Sequence, residues 1–176
     1  MLTRSWTHTS GWYVFFFLFA GAHLPFWPLW LKDWGLTEAE VGAYSAAAIA
    51  MRVVLGVVLP WIAERLNAPR RMLAVLAILM VVLYAAHFWI DTRPILFAAT
   101  LATAAVAAGM LPMADALSLR AASRGGFTYA TARSRGSAAF LAANLLCGLA
   151  VARWGVDAAL WWIILSFPPL IWLGLR

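Results

Sequence analysis

An all-α membrane protein with six transmembrane helices is the fold class this sequence predicts, on three observations. First, its 176 residues are 65% hydrophobic and 11% charged, with a mean hydropathy of +0.85, whereas soluble domains are about half apolar. Second, the apolar residues fall into six runs, at 11–31, 39–63, 72–90, 95–119, 136–152 and 158–175. Each is near the about 20 helical residues that cross a bilayer core of about 30 Å. Third, the charged residues lie almost wholly in the short connections, and the basic ones gather in alternate connections. No soluble domain fits, so residues 1–176 are predicted to form a single six-helix domain in a lipid bilayer.

The first run, Gly11 to Leu31, carries Pro25 and Pro28 in its second half, where freed carbonyls predict a bend. A cleavable signal peptide is the competing reading, because Ala20-Gly-Ala22 fits a small-x-small site; the aromatic run continues to Leu31, however, and a retained helix is expected. Tyr13, Phe16, Ala20, His23, Trp27 and Trp30 recur at steps of three and four and so share one stripe. In the following turn Thr37 is placed to cap the second helix, with Glu40 completing a capping box. Glu64 to Arg71 is a basic loop, and Asp91 to Pro94 a tight turn on the other side. The fourth run is rich in alanine and threonine, and Ala104, Ala105, Ala107, Ala108 and Gly109 favour close helix approach. Arg120 to Arg135, with Gly125-Gly126, reads as the longest connection and a mobile basic loop. Arg153 to Asp157 is a last tight turn before the sixth helix.

Lys and Arg distribute nine to one face (Arg4, Arg65, Arg70, Arg71, Arg120, Arg124, Arg133, Arg135, Arg176) and three to the other (Lys32, Arg93, Arg153). Because short cytoplasmic loops collect basic residues, both termini are expected to be cytoplasmic. The two triplets of helices then have opposite topology, as a 3+3 inverted repeat has. The net charge of +6 is explained by this topology, since no basic face for nucleic acid is formed. Trp6, Trp34, Trp89, Trp154 and Trp172 fit interfacial belts. The single cysteine, Cys147, excludes an internal disulfide.

Arg52 is the remaining basic residue and lies inside an apolar run, about 18 Å from the edge marked by Glu64. A guanidinium at that depth is kept where it lines a cavity or meets a partner. His23 lies at the same depth on the first helix. The pair is either a substrate anchor beside a protonatable group or an internal hydrogen-bond cluster fixing two helices. The aromatic stripe, Trp27 included, either stacks a ring of a solute or faces lipid and protein. Asn144 is either a cavity donor or a packing residue. Asp115, about 8 Å from the basic face, cannot reach Arg52 and is expected to meet Arg133 or Arg135, as a proton-sensitive latch or a static ion pair. Glu64 with Arg65, Arg70 and Arg71 carries the same alternatives. His87 is expected at the outer interface.

Several stretches resemble the amino-terminal half of a major facilitator superfamily transporter, in the branch of the phenylpropionate permease and the nucleoside:proton symporters, distantly similar to lactose permease. They are Leu24-Pro-Phe-Trp-Pro-Leu-Trp-Leu31 with Gly35-Leu36; Arg52 with Pro60-Trp61 and Ala63-Glu64-Arg65; Pro112, Asp115 and Leu117; and Tyr129-Ala-Thr-Ala-Arg-Ser-Arg-Gly-Ser137. The order is the family's, and the stretches span nearly the whole chain. Glu64 stands where the loop motif has aspartate, and Ala130, Thr131 and Arg135 replace residues of the fifth-helix motif. Asn67-Ala68 replaces the loop glycine, and asparagine tolerates the left-handed conformation such a turn requires.

The resemblance implies half of a facilitator fold in a bacterial-type inner membrane, a gating role for the Glu64 loop, proton coupling, and an aromatic acid or nucleoside as substrate. The function expected is a half-size or truncated secondary transporter of a small organic solute, either as a parallel homodimer or with a missing six-helix half. An inactive or partner-dependent scaffold is the alternative. A six-helix membrane enzyme is disfavoured: one intramembrane aspartate holds no metal pair, and Ser137 stands far from both His23 and His87, so no nucleophile dyad forms. No cofactor or metal is expected.

Overall fold

The computed structural model of the chain describes residues 2–123 and 128–175. Arg124, Arg176 and Gly125-Gly126 lie outside the described residues, as do the side chains of Arg4 and Trp6. Helices α1 (Leu2–Asp33), α2 (Glu38–Arg65), α3 (Pro69–Ala86), α4 (Arg93–Ala108), α5 (Met110–Ala122), α6 (Tyr129–Trp154) and α7 (Asp157–Leu175) follow in order, with a 3₁₀ turn at His87–Trp89 after α3. Among the described residues six segments are long and apolar enough to cross a membrane, α4 and α5 counting as one.

Local chemistry sets several boundaries. Thr37 and Glu40 form the predicted capping box at the start of α2, and Asn67 takes the left-handed conformation, φ 49°, between α2 and α3. The helix α1 continues through Pro25 and Pro28 to Asp33. Two predicted boundaries are corrected. Helix α6 begins at Tyr129 rather than Gly136, because Thr128 caps it: the Thr131 N–H donates to Thr128 Oγ1 at 3.3 Å. Arg133 and Arg135 are therefore helical, and the fifth crossing is correspondingly longer.

The fourth run, predicted as one helix, is interrupted at Gly109. Pro112 has no N–H to return to the Ala108 carbonyl, so the ladder is already broken there. Gly109 also has no side chain to hold α2 away: a Cβ on it would stand 2.6 Å from the Leu59 Cβ.

The helix α1 packs on α6 and α7, α3 packs on α7, and α2 packs on α4. At the α1–α6 crossing a Cβ on Gly21 would meet the Phe140 carbonyl at 2.6 Å, so only glycine permits this backbone approach. The predicted stripe of α1 faces inward: Tyr13, Phe16, Trp27 and Trp30 are all buried in the shared core. Of the six crossings α2 is the least buried, and it leaves Val53, Val54, Val57 and Trp61 uncovered.

Polar links tie the connections at one end of the bundle. Trp30 Nε1 donates to Asp157 Oδ1 at 2.9 Å, Trp34 Nε1 donates to the Ile90 carbonyl at 3.1 Å, and Arg93 pairs with Glu40. His87, expected at an interface, is instead 1% exposed. Its ring meets Trp27, Trp30 and Tyr84 edge-on or tilted, and its Nδ1–H donates to the Leu83 carbonyl at 2.7 Å.

Candidate functional site

Arg52 lies in the middle of α2, fourteen residues from Glu38 and thirteen from Arg65. Its Nη2 donates to His23 Nε2 on α1 at 2.9 Å, and His23 Nδ1 lies 2.8 Å from the Tyr84 hydroxyl on α3. A guanidinium can only donate, so Nε2 is the accepting nitrogen and the ring proton sits on Nδ1, donated to the Tyr84 oxygen. Three helices are joined by this chain, in which His23 is 8% and Tyr84 1% exposed. An imidazolium has no acceptor nitrogen, so His23 cannot be protonated and keep the Arg52 bond.

Aromatic rings fix the histidine. Trp27, one turn along α1, stacks on the imidazole with centroids 5.7 Å apart, and Trp30 stacks on Trp27 at 5.1 Å and 7°. Phe19 lies on the His23 ring at 5.3 Å from the preceding turn. With its rotamer held in this way, His23 presents a fixed edge to α2.

A pocket of about 200 Å³ opens beside the pair, lined by His23 and Trp27 of α1, Ser45 and Arg52 of α2, and Thr100 and Thr103 of α4, with apolar neighbours. Two of the residues lining it, Arg52 and Thr100, each have a buried polar atom, Nε and Oγ1, that finds no hydrogen-bond partner among the described residues. A buried unpaired group costs about 1–3 kcal/mol, more for a charged one. The Thr103 hydroxyl, by contrast, donates to the Thr100 carbonyl at 2.8 Å. Thus the pocket has an aromatic wall, a cation and a free hydroxyl.

The structure brings Arg52, His23 and Trp27 together and leaves Asn144 outside. The Asn144 amide donates to the Phe140 carbonyl one turn back on α6, at 3.0 Å, beside the Gly21 crossing. Sequence reasoning missed Tyr84, Ser45 and Thr100. Thr100 and Thr103 are three residues apart, on one face with Ala104, a spacing that marked the face but did not separate a free hydroxyl from a spent one.

A second cluster lies toward the end of the bundle that carries the Glu64 loop. Arg133 Nη1 of α6 donates to both oxygens of Asp115 on α5, at 2.6 and 2.8 Å. The Tyr13 hydroxyl donates to Asp115 Oδ1 at 2.6 Å, and Arg133 Nη1 also reaches the Tyr129 oxygen at 3.0 Å. The guanidinium lies over the Tyr13 and Phe17 rings, 5.6 and 5.3 Å from their centroids. Asp115 thus meets Arg133, one of its two expected partners, and Tyr13 and Tyr129 were unforeseen. Glu64 pairs with Arg120 at 2.6 Å. Arg65 turns onto the Trp61 ring, 4.1 Å from its centroid, and Arg71 is exposed at the start of α3.

Membrane-crossing helices that set a half-buried cation beside a buried histidine in mid-span, lining a pocket, define a multi-pass membrane protein with a candidate solute site. The chain belongs to the MFS_1 like family, whose model matches residues 6–174. It is 31% identical over 141 residues to the probable 3-phenylpropionic acid transporter of Escherichia coli (strain K12), a match covering 78% of this chain and 36% of that protein. The chain therefore spans little more than a third of that relative. No solved structure matches the chain.

Proposed function

We propose that this chain is a six-helix half of a facilitator-type secondary transporter that moves a small aromatic carboxylate together with a proton. The observation that carries this reading is the bond between Arg52 and His23, both of which line the pocket. A carboxylate entering the pocket takes the Arg52 N–H that His23 now accepts. His23 Nε2 is released and binds a proton, so anion and proton occupy the site as a neutral pair. The family supports transport, and the 3-phenylpropionic acid assigned to the relative supports an aromatic acid.

In this reading both termini face the cytoplasm of a bacterial-type inner membrane, and the Asp115–Arg133 pair with the Glu64–Arg120 pair forms the inner latch. Arg65 and Arg71 flank the moving loop. The packing supports an inverted repeat: exchanging the two triplets of helices turns the α1–α6 pairing into the α4–α2 pairing and maps α3–α7 onto itself. The uncovered face of α2 is where a second six-helix unit docks to close the pocket. That unit is a second copy of the chain or a distinct half.

The test is uptake of 3-phenylpropionate by the chain in proteoliposomes, with and without an inward proton gradient. We expect gradient-driven accumulation that a protonophore abolishes. His23→Gln, which still accepts from Arg52 but binds no proton, is expected to exchange solute across the membrane without accumulating it. Accumulation by this variant would sink the proton assignment, and absence of both uptake and exchange by the wild-type chain would sink transport by the chain alone or with a second copy of itself.

A further inference from the structure

The pocket contains a polar atom that neither the Arg52–His23 chain nor the helix packing explains. Thr100 is 3% exposed and lines the pocket, yet its Oγ1 has no partner among the described residues. A helical threonine ordinarily returns its hydroxyl to a carbonyl in the preceding turn, as Thr103 does to Thr100. Arg52 lines the same pocket and has a buried Nε likewise without a partner among the described residues, while its Nη2 donates to His23.

We propose that Thr100 is a specificity-determining residue: its hydroxyl and Arg52 Nε form a two-point clamp that selects a ligand head carrying two oxygens over one carrying a single oxygen. One ligand oxygen accepts from Nε and from the Nη2 N–H that His23 gives up, and the other accepts from the Thr100 O–H. The pocket is thereby matched to a carboxylate, with Trp27 as the wall for the rest of the solute. A primary alcohol engages Arg52 alone and leaves Thr100 unsatisfied. This rests on the reading of the pocket as the solute site.

The experiment is equilibrium binding of radiolabelled 3-phenylpropionate and of 3-phenylpropan-1-ol to the full chain in lipid nanodiscs, for wild type, Thr100→Val and Thr100→Ser. Valine keeps the shape and removes a buried unpaired hydroxyl, so folding is retained, and a melting curve checks this. Thr100→Val is expected to weaken the carboxylate about ten- to a hundredfold, the range of a hydrogen bond to a charged group, and to leave the alcohol within about twofold. Thr100→Ser is expected to restore carboxylate binding. Carboxylate binding unchanged in Thr100→Val, or both probes weakened alike, would overturn the clamp while leaving the pocket as solute site. Failure of wild type to bind either probe would overturn the clamp and the site together.

Discussion

The two polar clusters of this bundle use the same kinds of residue to opposite ends. Around Asp115, the carboxylate receives Arg133 and Tyr13, and the arginine also reaches Tyr129. No buried polar atom of Asp115, Arg133, Tyr13 or Tyr129 lacks a partner among the described residues. Around Arg52, a cation meets a neutral imidazole instead of a carboxylate, and two buried atoms are left without partners among those residues. A satisfied network holds helices together; an unsatisfied one is stabilised by whatever supplies the missing acceptors. The first cluster ties α1, α5 and α6, whereas the second leaves two buried polar atoms unpaired in residues that line a pocket.

The largest effect expected from this contrast is at Arg52. Arg52→Ala should abolish 3-phenylpropionate uptake, more than about a hundredfold, since it removes the only charge in the pocket among the described residues and a charged hydrogen bond alone is worth about 1.5–3 kcal/mol. The monodisperse fraction in detergent should stay near wild type. Loss of that fraction would place Arg52 with the structural cluster.

Asp115→Asn should do the reverse. It leaves Arg133 and Tyr13 facing an amide that accepts through one oxygen and is expected to cost about 1–3 kcal/mol of stability, read as a lower midpoint of thermal unfolding in nanodiscs. Binding of 3-phenylpropionate should change by less than about twofold. A large loss of binding at unchanged stability would erase the distinction between the clusters. The smallest effect is expected from Tyr13→Phe, which deletes one donor and keeps the ring under Arg133. A cost of about 1 kcal/mol is expected, measured in the same melting experiment.

Much of this was legible in the chain because the bilayer leaves few alternatives for a charged residue. The depth of Arg52 and His23 along their runs placed them together, and the short span from Asp115 to Arg120 directed Asp115 to Arg133 or Arg135, of which it meets Arg133. Thr37 and Glu40 announced a helix start by their spacing alone. Tyr84 was not visible, because a tyrosine in an apolar run carries no sign of the partner three helices will bring to it. The start of α6 was misplaced because Tyr129 to Arg135 is polar enough to read as loop, and the cap at Thr128 outweighed that composition. His87 was misread because nearness to a helix end does not tell which side of the helix faces the core. The break at Gly109 had a local sign in Pro112, which removes an N–H from the ladder, but the approach of Leu59 from another helix that helps set it lies in no local pattern.

That break divides one crossing into two mechanical members. The pocket wall with Thr100 rides on α4, and the carboxylate of the Asp115 cluster rides on α5. With Pro112 freeing the Ala108 carbonyl and Gly109 between the segments, the crossing has a joint, so a tilt of α5 with its load can be absorbed there. A tilt of α5 at this joint would carry Asp115 with it, while Thr100 would keep its place in the pocket that Arg52 also lines.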